Sequence, residues 1–225
     1  MKKKISPWTK LIEPKDQDPA FKSLTDAVTR ASTIVFENAQ SFRQRDWRDQ
    51  KSYSYGLQAT PIVRRLEQQI AHLDDVDYCL LYPSGLNAIS MLLYSLLESG
   101  DHILIGNNVY GPTREICDLF AKKMHISVST YDSTCLSNLN LTSKTKLIWV
   151  ESPGSITMEV TDLKKLASIA QKHKAKLVYD ATWSGQVAYS PYKHGADLVV
   201  YALTKYHSGG SDVLMGSITM KHQRD

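Results

Sequence analysis

The chain has 225 residues, 42% of them apolar, and a formal net charge of +4, which allows one large α/β domain or two small ones. The charge is mild and its basic residues are spread along the chain, which argues against a nucleic-acid surface, and no apolar run is long enough to span a bilayer. Cys79, Cys117 and Cys135 are an odd, widely spaced set without a CxxC pair, which argues against a zinc site and fits reduced thiols in a cytoplasmic protein. The basic start Met1–Lys4 is followed by no apolar stretch of secretory length.

Residues 1–52 read as a polar, irregular N-terminal arm, with a helix expected over Phe21–Ala31, an extended piece over Ser32–Phe36, and Trp8 and Trp47 flanking the region. Residues 53–225 read as one large domain. In Tyr53-Ser54-Tyr55-Gly56-Leu57-Gln58-Ala59-Thr60-Pro61, Thr60 suits an N-cap and Pro61 a first helical turn. Ile62, Leu66 and Ile70 then mark one stripe of an amphipathic helix. On residues alone, Tyr55 reads as a packing aromatic.

Tyr78–Tyr82 is a short apolar strand that runs into Pro83-Ser84-Gly85-Leu86 and a helix carrying Ile89, Leu92, Leu93 and Leu96. A strand, a small polar turn and a helix N-terminus together offer free backbone N–H groups to an anion. His102–Ile105 is the next strand. Tyr110 stands just beyond its carboxyl end, where open α/β sheets bind ligands, and a helix ending near Met124 follows. Ile126–Thr130 and Lys146–Val150 read as strands joined by the polar connection 133–144. After Glu151 to Val160, Thr161 is expected to cap a helix with Leu163, Leu166, Ile169 and Ala170 on one face. Lys176–Tyr179 is a strand that Asp180 ends, and Asp180 suits either a turn or a ligand.

The last unit is Tyr201-Ala202-Leu203-Thr204-Lys205-Tyr206-His207-Ser208-Gly209-Gly210-Ser211-Asp212, set between the strands Ala196–Tyr201 and Val213–Thr219. A surface lysine is the ordinary reading of Lys205. The hydroxyls and glycines around it favour another: a nucleophilic amine holding pyridoxal phosphate (PLP) as a Schiff base. That cofactor needs a carboxylate for its ring nitrogen, an anion site for its phosphate and a flat group against its ring. Asp180, the turn at Gly85 and Tyr110 are candidates for the three.

Three segments carry a family resemblance: Glu151 to Val160 (ESPGSITMEV), Asp180 to Trp183 (DATW), and Thr204-Lys205-Tyr206 with Gly209 and Ser211-Asp212. From about Ser32 onward the chain resembles the PLP-dependent transsulfuration enzymes of Cys/Met metabolism. The ESPGSITMEV stretch is similar to their β-lyase branch, since other branches commonly have asparagine at the Ser155 position. The resemblance implies a fold type I large domain: a mostly parallel, seven-stranded-type sheet with helices on both faces, preceded by an extended arm. It implies that Lys205 bonds the cofactor and acts as base, Asp180 pairs with the ring nitrogen, and Tyr110 stacks on the ring. It gives the phosphate to the N–H groups of Gly85 and Leu86 and the hydroxyl of Thr204. Ser155 and Thr182 become ring-oxygen or supporting contacts, and Tyr55 a residue sent into a neighbouring subunit of a homo-oligomer, a dimer of dimers.

The implied reaction is β-cleavage of cystathionine to homocysteine, pyruvate and ammonia, as in methionine biosynthesis. A γ-lyase or γ-synthase, or a PLP-binding chain without efficient turnover, are the alternatives. Three departures stand out. Leu57 replaces an arginine that reaches the neighbour's phosphate, and Ala202 replaces a serine on the phosphate. The sequence also ends at Asp225, so the large domain is expected to be incomplete, without the C-terminal domain that supplies the family's carboxylate-binding arginine.

Overall fold

The computed structural model describes residues 6, 8–9, 25–46, 49 and 51–221. The expectations for residues 1–4, 21–24 and Trp47 lie outside these. The described chain falls into two compact units, Met1–Leu73 and Asp74–Asp225.

In the first unit, α1 (Ala39–Arg43) begins at a reciprocal cap in which the Asn38 side chain accepts from Ser41 N–H and Ser41 Oγ from Asn38 N–H. Residues 25–31 contain no helix, contrary to expectation, and residues 32–36 belong to no strand ladder. This stretch instead pairs locally with the later loop: Gly56 N–H donates to Ser32 O at 2.7 Å. A Cβ at Gly56 would lie 2.0 Å from Ala31 O, so only glycine fits that approach. Helix α2 (Pro61–Leu73) starts at Pro61 as expected, with Thr60 O accepting the first helical bond from Arg64 N–H. Its Arg64 and Glu67 form a buried ion pair at 2.8 Å.

The second unit is built on seven strands: β1 (Tyr78–Tyr82), β2 (His102–Gly106), β3 (Ser127–Tyr131), β4 (Thr145–Glu151), β5 (Lys176–Asp180), β6 (Leu198–Ala202) and β7 (Gly216–Met220). Their order in the sheet is β1-β7-β6-β5-β4-β2-β3. β7 runs antiparallel to both its neighbours and every other pairing is parallel. This is the mostly parallel α/β sheet the sequence implies. The short buried runs, rich in Val, Ile and Leu, are what a sheet covered on both faces requires. Ladder pairing of the last strand begins at Gly216, later than the expected Val213, because residues 213–215 still belong to the connection.

Alternation within each strand sorts the side chains. Ile103, Ile105, Leu147, Trp149, Val178, Val200 and Ile218 face a core made with α3 (Gly85–Leu96) and α4 (Gly111–Met124), into which Leu93 and Cys117 are fully buried. Helix α5 (Leu163–His173) packs on β4 and β5 through Leu163, Leu166 and Ala170. Its cap is Asp162, whose carboxylate accepts from Lys165 N–H, and not the expected Thr161; both are capping residue types, one position apart. A short α6 (Gly185–Ala188) and a 3₁₀ turn (Pro191–His194) lead to β6.

Candidate active site

Because β4, β5 and β6 are parallel, their final residues Glu151, Asp180 and Ala202 meet at one edge of the sheet, and the turns that follow them share it. β2, beside β4, brings Tyr110 to the same edge, and β1, on the far side of β7, brings the start of α3. Open α/β sheets bind ligands there.

Ala202 is the hub of one half of the site. Its N–H donates to Thr182 Oγ1 at 2.9 Å and its carbonyl accepts from Lys205 N–H at 3.0 Å, starting the turn that carries the exposed Lys205. Thr182 N–H donates to Asp180 Oδ1 at 3.1 Å, so Thr182 ties the end of β5 to β6. A Cβ built at Gly85 would lie 2.7 Å from Ala202 Cβ, and one at Gly216 2.4 Å from Ser84 O. Glycines at these two positions let the first turn of α3 sit directly on β6 and β7. Ser84 caps that turn, its Oγ accepting from Asn87 N–H at 3.0 Å. Gly85 and Leu86 are therefore the first two helical residues, whose N–H groups have no partner inside a helix. Thr204 Oγ1 exchanges hydrogen bonds with the backbone of Met215, at 3.3 and 3.4 Å.

The other half is organised by Glu151, which the sequence reading quoted as the first residue of ESPGSITMEV without giving it a role. It is buried and is the register partner of Asp180. Its Oε2 accepts from Tyr110 N–H at 2.6 Å and its Oε1 from Ser155 Oγ at 2.7 Å. Ser155 N–H in turn donates to Asn108 O at 2.9 Å. Tyr110 thus stands at the head of α4, half exposed, with its backbone anchored to a buried carboxylate.

The electrostatics follow from two acids in one dry corner. Burial pushes Asp180 above the usual carboxylate range. Burial, then the charge of Asp180, lifts Glu151 to about 7, against the pull of its two donors. Asp180 Oδ1 receives Thr182 N–H, and the Thr182 side chain also acts on this carboxyl. Two neighbouring buried carboxyls are completed by a cation with an N–H to give. A protonated pyridine ring nitrogen is such a group, so the residues present fit PLP at this end.

The structure brings together Gly85, Leu86, Tyr110, Ser155, Asp180, Thr182, Thr204 and Lys205 on one sheet edge. Tyr55 belongs to the first unit, where it is half exposed. The signal that could have exposed Glu151 was available: like Asp180, it is a carboxylate ending a buried apolar run. Among the described residues no group of three or more His, Cys, Asp or Glu side chains could hold a metal, and no helix is long and apolar enough to cross a membrane.

A mostly parallel seven-stranded sheet with helices packed on it is the fold of PLP-dependent lyases. The chain belongs to the Cys/Met metabolism PLP-dependent enzyme family, whose pattern matches residues 8–225. It is 37% identical over 194 residues to a putative cystathionine β-lyase of Rhizobium johnstonii, covering 85% of this chain and 48% of that protein. It is 34% identical over 168 residues to the L-alanine/L-glutamate racemase of Wolbachia pipientis, covering 75% and 42%. Among solved structures, the cystathionine γ-lyase from Lactobacillus plantarum superposes with a TM-score of 0.88 at 27% identity, over 98% of this chain and 56% of that one. The chain spans about half the length of the curated relatives it matches.

Proposed function

We propose that this chain forms the cofactor-binding half of a carbon–sulfur β-lyase that cleaves cystathionine-like thioether amino acids in the cytoplasm, as a step of methionine biosynthesis. Lys205 would hold the cofactor and Asp180 would pair with its ring nitrogen. Tyr110 lies against the ring, and the N–H groups of Gly85 and Leu86 with the Thr204 hydroxyl take the phosphate. Ser155 and Thr182 contact or support the ring oxygen. Tyr55 is assigned to a neighbouring subunit's site in a homo-oligomer. When bound, PLP supplies an electron sink for the pair left on Cα after proton loss.

The chain's own residues do the rest. The Lys205 amine, when free, would accept the Cα proton. Asp180, kept dry among strand ends, stays paired with a cation and so remains ionised through turnover. Tyr110 contributes a face that fixes the plane of the reacting group. Cystathionine and one water give homocysteine, pyruvate and ammonia.

The observation that carries this reading is Asp180: a buried acid at the end of β5, one strand away from the lysine turn. The β-lyase assignment draws on Ser155 within ESPGSITMEV and on the similarity to β-lyases by name. A γ-lyase is the second reading, favoured by the structural likeness to the L. plantarum enzyme. Incubation of the purified protein with cystathionine separates them: β-cleavage yields homocysteine and pyruvate, γ-cleavage yields cysteine. Cysteine as the thiol product would overturn the β-lyase reading. Interconversion of alanine enantiomers without thiol release would place the chain with the racemase instead.

A further inference from the structure

We infer that Glu151 is a positioning residue of this site, holding Tyr110 and Ser155 in place beside Asp180 and adding a second negative charge behind the cofactor ring; this rests on the PLP reading above. The geometry is specific. Glu151 ends β4 opposite Asp180 on β5, and neighbouring strands lie about 4.8 Å apart. Each of its oxygens has one donor, Tyr110 N–H on Oε2 and Ser155 Oγ–H on Oε1. An ionised carboxylate satisfies both, because it only accepts.

Two consequences follow. First, the tyrosine assigned to the ring is fixed through its main chain. Loss of Glu151 leaves a buried N–H at the head of α4 without its acceptor, and the tyrosine drifts with it. Second, the Ser155 hydrogen is spent on Glu151, so Ser155 offers only lone pairs to anything bound in front of it. A proton on Glu151 can sit on Oε1 but not on Oε2, where it would face the Tyr110 N–H. Protonation at Oε1 reverses the Ser155 hydroxyl and frees its hydrogen. The charge on Glu151 therefore sets whether Ser155 accepts or donates. Asp180 is the charged side chain that acts on Glu151. A cation on Asp180 stabilises the ionised state of both acids, so a filled site keeps Ser155 an acceptor.

Glu151→Gln tests this with the shape kept. Its Oε1 can still take the Tyr110 N–H while its amide donates to Ser155, but the charge is gone. The readouts are PLP affinity of the apoprotein, by absorbance titration, and the pH midpoint of the bound cofactor's visible band. A negative charge removed from within one strand spacing of the Asp180–ring pair lowers that midpoint by about one pH unit, while affinity changes less than about threefold. Glu151→Ala, losing both bonds, weakens PLP binding by about tenfold or more. An unchanged midpoint in Glu151→Gln, with Lys205→Ala still abolishing the visible band, overturns the role of Glu151 and leaves the site assignment standing. A band that survives Lys205→Ala overturns the site assignment itself. A Glu151→Gln chain that cannot fold assigns the residue to the scaffold and overturns the inference as well.

Discussion

Asp74→Asn is expected to stabilise the protein at alkaline pH relative to acid. Asp74 lies just before β1 and is 2% exposed. Its Oδ1 accepts from Tyr201 OH at 2.7 Å and its Oδ2 from Thr219 Oγ1 at 2.6 Å; Thr219 also meets Tyr192 OH at 3.0 Å. Burial raises the Asp74 carboxyl from 3.8 to about 6, against these donors. The folded pKa is the higher one, so the native state binds the proton more tightly than the unfolded chain. The stability this confers is complete below 3.8 and is lost as pH rises through about 6. In full it is about 3 kcal/mol, of which about 2 kcal/mol falls between pH 4 and pH 8. Asparagine fills the same space, accepts from Tyr201 and donates to Thr219, and does not titrate. Urea unfolding of both proteins across that range, taken as variant minus parent so that other titrating groups cancel, is expected to favour the variant by about 2 kcal/mol more at pH 8 than at pH 4. A flat difference, or one sloping the other way, refutes the argument. Asp74→Ala strands the Tyr201 and Thr219 hydroxyls and is expected to destabilise at every pH.

Lys205→Ala is expected to keep the far-ultraviolet spectrum and lose the visible absorbance of bound PLP; a borohydride-reduced peptide labelled at another lysine would contradict the assignment. Asp180→Ala leaves a buried cation unpaired, a cost of roughly 3–5 kcal/mol, measured as weaker PLP binding and near-complete loss of pyruvate release. Gly85→Ala forces a methyl to within 2.7 Å of Ala202 Cβ. It is expected to cost about 1–3 kcal/mol of stability and to lower phosphate affinity, both read by thermal shift with and without inorganic phosphate. Equal shifts in parent and variant would remove the helix N-terminus from the phosphate site.

Most of the elements in the second unit were legible because their periods are clean. Val178, Val200 and Ile218 sit in short β-branched runs, and Ile89, Leu92 and Leu93 recur at helical spacing before a glycine-free stretch. What the pattern could not reveal is direction: nothing in Gly216–Met220 says that this strand alone runs antiparallel. The N-terminal helix expected over 21–31 failed where it is described: residues 25–31 form no helical turn, and Asp26 pairs instead with Arg65 of α2 at 2.7 Å. The positions of Lys205, Asp180 and Tyr110 at or just beyond strand ends were readable. Glu151 was not read, since its meaning depends on Tyr110, forty-one positions earlier, and on a strand partner. Asp74 was not singled out in the sequence; only Tyr201 and Thr219, more than 120 residues later, make it a buried acid.

The antiparallel strand also sets a timetable. β1 is the first strand of the second unit to be made, and its partner among the described residues is β7, which begins about 140 residues later. Helix α3, with its fully buried Leu93, packs against β6 and β7 as well. At roughly 5–20 residues per second of synthesis, the ribosome needs on the order of ten seconds or more to deliver the surface that covers them. Throughout that interval β1 is an unpaired apolar edge and α3 a helix without a seat, the kind of segment that captures a copy of itself on a neighbouring nascent chain. The Asp74 acid, waiting on Thr219 of the same late strand, remains solvated until that strand arrives, so its burial marks the pairing of β7.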